Sequence, residues 1–237
     1  MNRIIRIAFL CACPISFASQ ANATVLTLGA SGSADFGSHV TWATTGNTVS
    51  MTGLIDDSPL QGDFRFETSL SASALGTPSN GGGSAFFLTT VLDPSSLGAI
   101  SSIDYLIEQD RSGSAAKIQL MIRQNGNFYR SMNARDVVDD GVFTDFSQLG
   151  LTANSFGRWD NATATTTTDR PDFSVAGGLI EIGLASDFGT GGISQTRDQE
   201  IQDFSVTITT VPEPSGLAFV CVGVLLCLLG RRQDGRR

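Results

Sequence analysis

His39 is the only histidine of the chain, and no cysteine falls between residues 24 and 210. The side chains most used as catalytic base, thiol nucleophile or zinc ligand are therefore almost missing. A serine triad would have to recruit His39, yet no Gly-x-Ser-x-Gly elbow occurs, so His39 reads as an ordinary surface or half-buried histidine. Carboxylates remain, and two of them across a cleft suffice for glycoside hydrolysis. The glutamates of this region are Glu67, Glu108, Glu181 and Glu200. Glu181 stands alone in Leu179-Ile180-Glu181-Ile182-Gly183, and a lone carboxylate on a strand usually faces solvent. No catalytic constellation emerges, and a non-enzymatic protein is expected.

Two other patterns could bind a ligand. Asp136, Asp139 and Asp140 cluster before Gly141, hard oxygen donors suited to a structural Ca²⁺. Their spacing, Asp-Val-Val-Asp-Asp-Gly, departs from an Asp-x-Asp-x-Asp-Gly loop because Val138 holds the second ligand position; a solvated turn has the same composition, as does Asp56-Asp57. Trp159, in Phe156-Gly-Arg-Trp-Asp160, offers a flat ring on which a sugar could stack, and it is expected in a loop. Trp42 is expected to be buried in a strand. The Thr163–Thr168 tract that follows is low in complexity and reads as an exposed loop. Asn161-Ala162-Thr163 has the glycosylation pattern.

The elements that must position these residues read as short strands separated by Gly, Ser, Thr, Asn and Asp clusters, with no convincing amphipathic helix. The strongest hairpin is Ala116–Arg123, turning at Asn125-Gly126 into Phe128–Ser131, with Ile118, Leu120 and Ile122 on one face. A second hairpin is expected from Val40–Ala43 to Thr48–Met51. Further strands are expected at Asp63–Leu70, Ala85–Leu92, Ile100–Gln109, Gly178–Leu184 and Ile201–Thr209. Eight or more such strands make an all-β, antiparallel two-sheet β-sandwich; βαβ units would need helices that are missing.

The ends have a different composition. Arg3 and Arg6 precede the apolar run Ile7–Ala18, which closes on Ala21-Asn22-Ala23, a small-x-small site for signal peptidase with the cut expected after Ala23. At the other end, Pro212-Glu213-Pro214 leads into an apolar helix over 215–230 and then four arginines within Arg231–Arg237, which hold that end in the cytoplasm. Three parts follow: a signal peptide at 1–23, a sandwich domain at 24–210, and a tail at 211–237. The whole chain has a formal charge of −8, but between Thr24 and Val211 stand 9 basic and 21 acidic residues, a net of −12. So acidic a domain repels phosphate backbones, which argues against nucleic acid as a partner.

The Val-Pro-Glu-Pro, helix and basic terminus resemble the PEP-CTERM sorting signal of bacterial exosortase substrates. The resemblance covers about the last 27 residues. It implies recognition at Pro212, Glu213 and Pro214 by an exosortase-type enzyme, a transient inner-membrane intermediate, and delivery to the cell surface or extracellular matrix of a Gram-negative-type bacterium. Within the domain, Ile100–Tyr105, the hairpin ending Phe128–Ser131, Pro171-Asp172-Phe173 and Ile201–Val206 resemble strand landmarks of concanavalin A-like jelly rolls. That likeness implies a jelly-roll-like fold and, with it, Asp203 as a late-strand calcium candidate. The Glu-x-Asp-x-x-Glu strand of jelly-roll glycosidases is missing. The expected role is structural or adhesive, with extracellular polysaccharide binding as the alternative and polysaccharide cleavage behind both.

Overall fold

Asn125 and Gly126 take φ of 51° and 75°, the left-handed pair that a two-residue hairpin turn requires. They lock Lys117–Gln124 to Asn127–Ser131 in the register Gln124↔Asn127 through Met121↔Arg130. Ile118, Leu120 and Ile122 fall on one face and are all but inaccessible, as a strand's two-residue period demands. The computed structural model that contains this hairpin describes residues 23–30, 32–43, 47–58, 63–72, 81–112, 117–133, 135–136, 143–160, 165–189 and 195–211. Ala21, the Pro212-Glu213-Pro214 motif, the tail helix, Asp139 and Asp140 lie outside the described residues.

In chain order the strands are β1 (Val25–Ala30), β2 (Phe36–Ala43), β3 (Asn47–Ser58), β4 (Asp63–Ala72), β5 (Gly81–Leu92), β6 (Ala99–Ser112), β7 (Lys117–Gln124), β8 (Asn127–Ser131), β9 (Arg135–Asp136), β10 (Thr144–Leu151), β11 (Phe156–Asp160), β12 (Thr165–Thr166), β13 (Ile180–Gly189) and β14 (Gln195–Val211). They form two wholly antiparallel sheets. Sheet A runs β10-β6-β14-β4-β3, and sheet B runs β12-β11-β8-β7-β13-β5-β2 with β9 also on β7. The long β14 serves two partners on one edge: Gln195–Ile201 pairs with β4, and Phe204–Thr209 pairs with β1. The result is a jelly-roll-like β-sandwich. Among the described residues no helix is long and apolar enough to cross a membrane; a single helical turn, Pro94–Leu97, is capped by Asp93, whose Oδ1 accepts from the Ser95 amide at 2.9 Å.

The core lies between the sheets, where Phe86, Leu120, Ile182 and Leu184 of sheet B meet Ile103, Ile107, Phe204 and Val206 of sheet A. Three local expectations fail. Strands β2 and β3 are not a hairpin: β2 pairs with β5 in sheet B and β3 with β4 in sheet A. The chain thus passes from sheet B to sheet A between β2 and β3, because the twelve residues of β3 find a longer partner in β4 than the eight of β2 could give. Trp159 stands on β11 rather than in a loop. Pro171–Phe173 is irregular, and contributes instead a buried Phe173 packed edge-on against Phe156 at 5.9 Å, with its carbonyl accepting from the Ile100 amide at 2.8 Å.

Candidate functional site

The face of sheet B turned away from the core carries Val40 and Trp42 of β2, Ala85 and Phe87 of β5, Ala185 of β13, Met121 of β7, Phe128 of β8 and Trp159 of β11 as a second apolar cluster. These residues trace a diagonal, since Trp42 aligns with Gly83, Ala85 with Ala185, Gly183 with Met121 and Phe128 with Trp159. Four strands separate β2 from β11, so a flat sheet would hold the two tryptophans at least roughly 24 Å apart. Their ring centroids are 5.9 Å apart and T-shaped. The sheet is therefore curled along this diagonal until its opposite corners meet, and both indoles are buried to 5 % exposure.

Sequence explains the curl. Twist accumulates across a wide sheet, and between Glu181 and Gly183 the pairing of β13 with β5 shifts register, with three residues of β5 facing one of β13; such irregularities bend a strand. Small residues then let the indoles down onto the backbone. A Cβ on Gly83 would stand 2.6 Å from Trp42 Cζ2, and one on Gly183 would collide with the Phe86 carbonyl.

Polar groups border the seam on both sides. On the β2 side, Arg123 forms an ion pair with Glu181, its partner in register, donates to Ser38 Oγ at 3.0 Å and lies 4.7 Å over the Phe87 ring. The cross-strand neighbours of Glu181 are Val91 and Arg123, so no second carboxylate stands opposite it. His39 lines a separate recess of about 240 Å³ with Ser38 and Phe36. On the β11 side, Arg130 lays its guanidinium 3.8 Å from the Trp159 ring centre.

Two clefts open beside Trp159 and share Thr167. One, of about 450 Å³, is lined by Asn127, Phe128, Arg158, Trp159 and Asp160. The other, of about 360 Å³, is lined by Gln119, Arg130, Ser131, Met132, Thr166, Thr168 and Arg170. The threonine tract forms their common rim because β12 pairs with Trp159 and Asp160, and the chain stays on β11 through Thr167 N–H to Arg158 O at 2.8 Å and Arg158 N–H to Asp169 O at 2.9 Å. Gly157 admits this close approach, since a side chain there would collide with Thr166. The indole N–H of Trp159 is buried without an acceptor among the described residues, which costs about 1–3 kcal/mol if nothing else binds it.

Of the calcium candidates, Asp139 and Asp140 lie outside the described residues. Asp136 belongs to β9 in sheet B and Asp203 to β14 in sheet A, and among the described residues no group of three His, Cys, Asp or Glu is placed to hold a metal ion. Asp203 instead sits in register with Glu108, which pairs on its other side with Asp145. Sequence reasoning passed over Arg130 and Arg170. The signal that would have found Arg170 is its place, with Arg158, flanking the threonine tract; Arg130 stands out only through its contact with Trp159.

No protein-family model and no curated protein matches the sequence. Among solved structures, the chain is similar to the family 11 carbohydrate-binding module of a cellulosomal cellulase of Clostridium thermocellum, at 12 % identity over 71 % of this chain and 86 % of that one, with a TM-score of 0.36. It is also similar to a xylan-binding domain from Paenibacillus barcinonensis, at 10 % identity over 73 % and 94 %, TM-score 0.32. A family two carbohydrate esterase from Cellvibrio japonicus covers 81 % of this chain, at 10 % identity and with 35 % of its own length, TM-score 0.24. Such distant likenesses name no ligand for this chain.

Proposed function

We propose that the sandwich is a non-catalytic glycan-binding domain, exported by the signal at 1–23 and sorted to the cell surface or matrix through the tail centred on Pro212, Glu213 and Pro214. The observation that carries the binding reading is the pair of clefts meeting at Thr167. They combine aromatic carbon at Phe128 and Trp159 with amide, hydroxyl and guanidinium groups, the mixture that the alternating apolar faces and hydroxyl rims of a sugar chain require. Ligand stacking falls to Phe128; the Trp159 ring, 5 % exposed with Arg130 over its face, is closed to a sugar. The lone Glu181, held by Arg123, supports binding without cleavage.

Affinity electrophoresis of the full chain in a mild non-ionic detergent, through gels carrying neutral and acidic polysaccharides, tests the binding reading. Retention in at least one gel, weakened by Phe128→Ala, is expected; free migration in all of them overturns it. Sorting is tested separately by deleting residues 212–237, which should abolish surface delivery; unchanged fractionation would sink that part.

The filled seam between Trp42 and Trp159 favours a second reading, a structural matrix protein whose curled sheet is closed by its own side chains. Free migration in every gel, together with surface delivery that depends on the tail, would favour it.

A further inference from the structure

Resting on the reading of residues 1–23 as a cleaved signal, we infer that the cut after Ala23 belongs to the time before the domain closes. Once β14 folds in, it holds the first residue of the mature chain and protects the bond that precedes it.

Thr24 is clasped by the far end of the domain. Its carbonyl accepts the Thr210 amide at 3.0 Å and the Thr210 hydroxyl at 3.4 Å, and Val25 follows in register with Thr209. Bonded pairs alternate along an antiparallel ladder, so Leu26↔Ile208 and Leu28↔Val206 repeat the bonding of Thr24 with Thr210, while the main-chain groups of Val25, Thr27 and Gly29 point to the free edge. Burial does not hide the bond to be cut, since Ala23, Thr24 and Val25 are all exposed. Pairing protects it instead. A protease encloses the backbone on both sides of the bond it breaks, so a chain fixed in a sheet is cut only from its opened state. The residue that follows the cut is itself the one clasped, which leaves no slack.

The partner arrives late. Among the described residues β14 is the only strand that β1 pairs with, and it is the last strand of the domain. Thr210 lies 186 residues after Thr24 and is buried once in place. Synthesis at about 5–20 residues per second therefore gives a chain exported as it is made roughly ten to forty seconds with β1 unpaired. A precursor that folds uncut is thereafter cut at the rate set by the opening of β1.

The test takes full-length precursor from cells depleted of signal peptidase, folded in mild detergent, and adds the purified peptidase. The full chain should be cut at least about tenfold more slowly than a chain stopped after residue 194, which lacks β14. Leu28→Pro in the full chain removes one ladder donor from an edge strand and should bring the rate close to that of the shortened chain. Its tryptophan fluorescence, set by Trp42 and Trp159 in the other sheet, should stay that of the parent. Where that fluorescence is lost, Leu28→Ala takes its place; it keeps the ladder, thins the packing of β1 on the core, and should speed the cut by a smaller factor. Equal rates for the full and shortened chains overturn the timing and leave the signal reading standing, as does a Leu28 variant with the parent's fluorescence and the parent's rate. No cut between Ala23 and Thr24 in any chain, read by N-terminal sequencing, overturns both.

Discussion

Trp42 and Trp159 meet edge to face at 5.9 Å although they stand on strands with four others between them in the same sheet. They are the only tryptophans of the chain. Their contact is the closure of the curled sheet, so its energy reports directly on the curl. T-shaped aromatic pairs add about 0.5–1.5 kcal/mol beyond the area they bury. A double-mutant cycle of Trp42→Phe and Trp159→Phe, followed by urea unfolding, should return a coupling in that range. Strict additivity of the two substitutions would show that the rings do not support one another.

Gly83 should tolerate no side chain. A Cβ there would press into the Trp42 ring at 2.6 and 2.8 Å and collide with the Ser186 carbonyl, and overpacking of this kind costs about 1–3 kcal/mol. Gly83→Ala is expected to destabilise by that amount, and Trp42→Ala in the same chain should relieve only part of it, because the Ser186 backbone remains. A Gly83→Ala protein as stable as the parent would mean that Trp42 does not rest on the β5 backbone.

How much of this could be read from sequence divides along a physical line. The Asn125-Gly126 hairpin, with Ile118, Leu120 and Ile122 inward, was legible because a two-residue turn fixes register within a dozen residues. The expected hairpin from Val40 to Met51 was not, since its turn signal is local but the choice of partner is made by β4 and β5, distant in sequence. Trp159 was singled out for its ring, yet its strand is five residues long and holds Gly157, Arg158 and Asp160, which dilute any alternation. The seam it shares with Trp42 depends on sheet curl, and the arginine cleft depends on the seam. No window along the chain contains either.

The outer face of sheet A sets like charges side by side. Asp145, Glu108 and Asp203 stand in register on three adjacent strands, and directly opposed like charges destabilise a sheet by about 0.2–1 kcal/mol. Asp203→Asn should therefore raise the urea midpoint by a corresponding few tenths of a kcal/mol or more, with the gain shrinking in 1 M salt. A loss of stability would instead give Asp203 a favourable partner, and if it appeared only in the presence of Ca²⁺ that partner would be the ion.

Tyr105 makes the alkaline limit of the fold predictable. It is buried at 2 % exposure in the core, and burial pushes its hydroxyl far above the ordinary tyrosine value, offset only in part by the Ser131 side chain. The folded state thus favours the neutral phenol. A raised folded pKa gives stability that is intact below the unfolded value of about 10 and is lost as pH climbs beyond it, at about 1.4 kcal/mol per pH unit for one proton. Between pH 6 and 9 this group should leave stability unchanged. Above pH 10 the parent should lose stability faster than Tyr105→Phe by that slope, and absorbance at 295 nm should show a tyrosine that ionises only as the protein unfolds. The phenylalanine variant itself should lie within about 1 kcal/mol of the parent at pH 7, since it removes a buried hydroxyl that has no hydrogen-bond partner among the described residues and keeps the edge-on contact with Phe146 at 5.8 Å. Superimposable stability profiles of the two proteins from pH 9 to 11 would show that the Tyr105 hydroxyl reaches water, and that the two sheets are not closed over it.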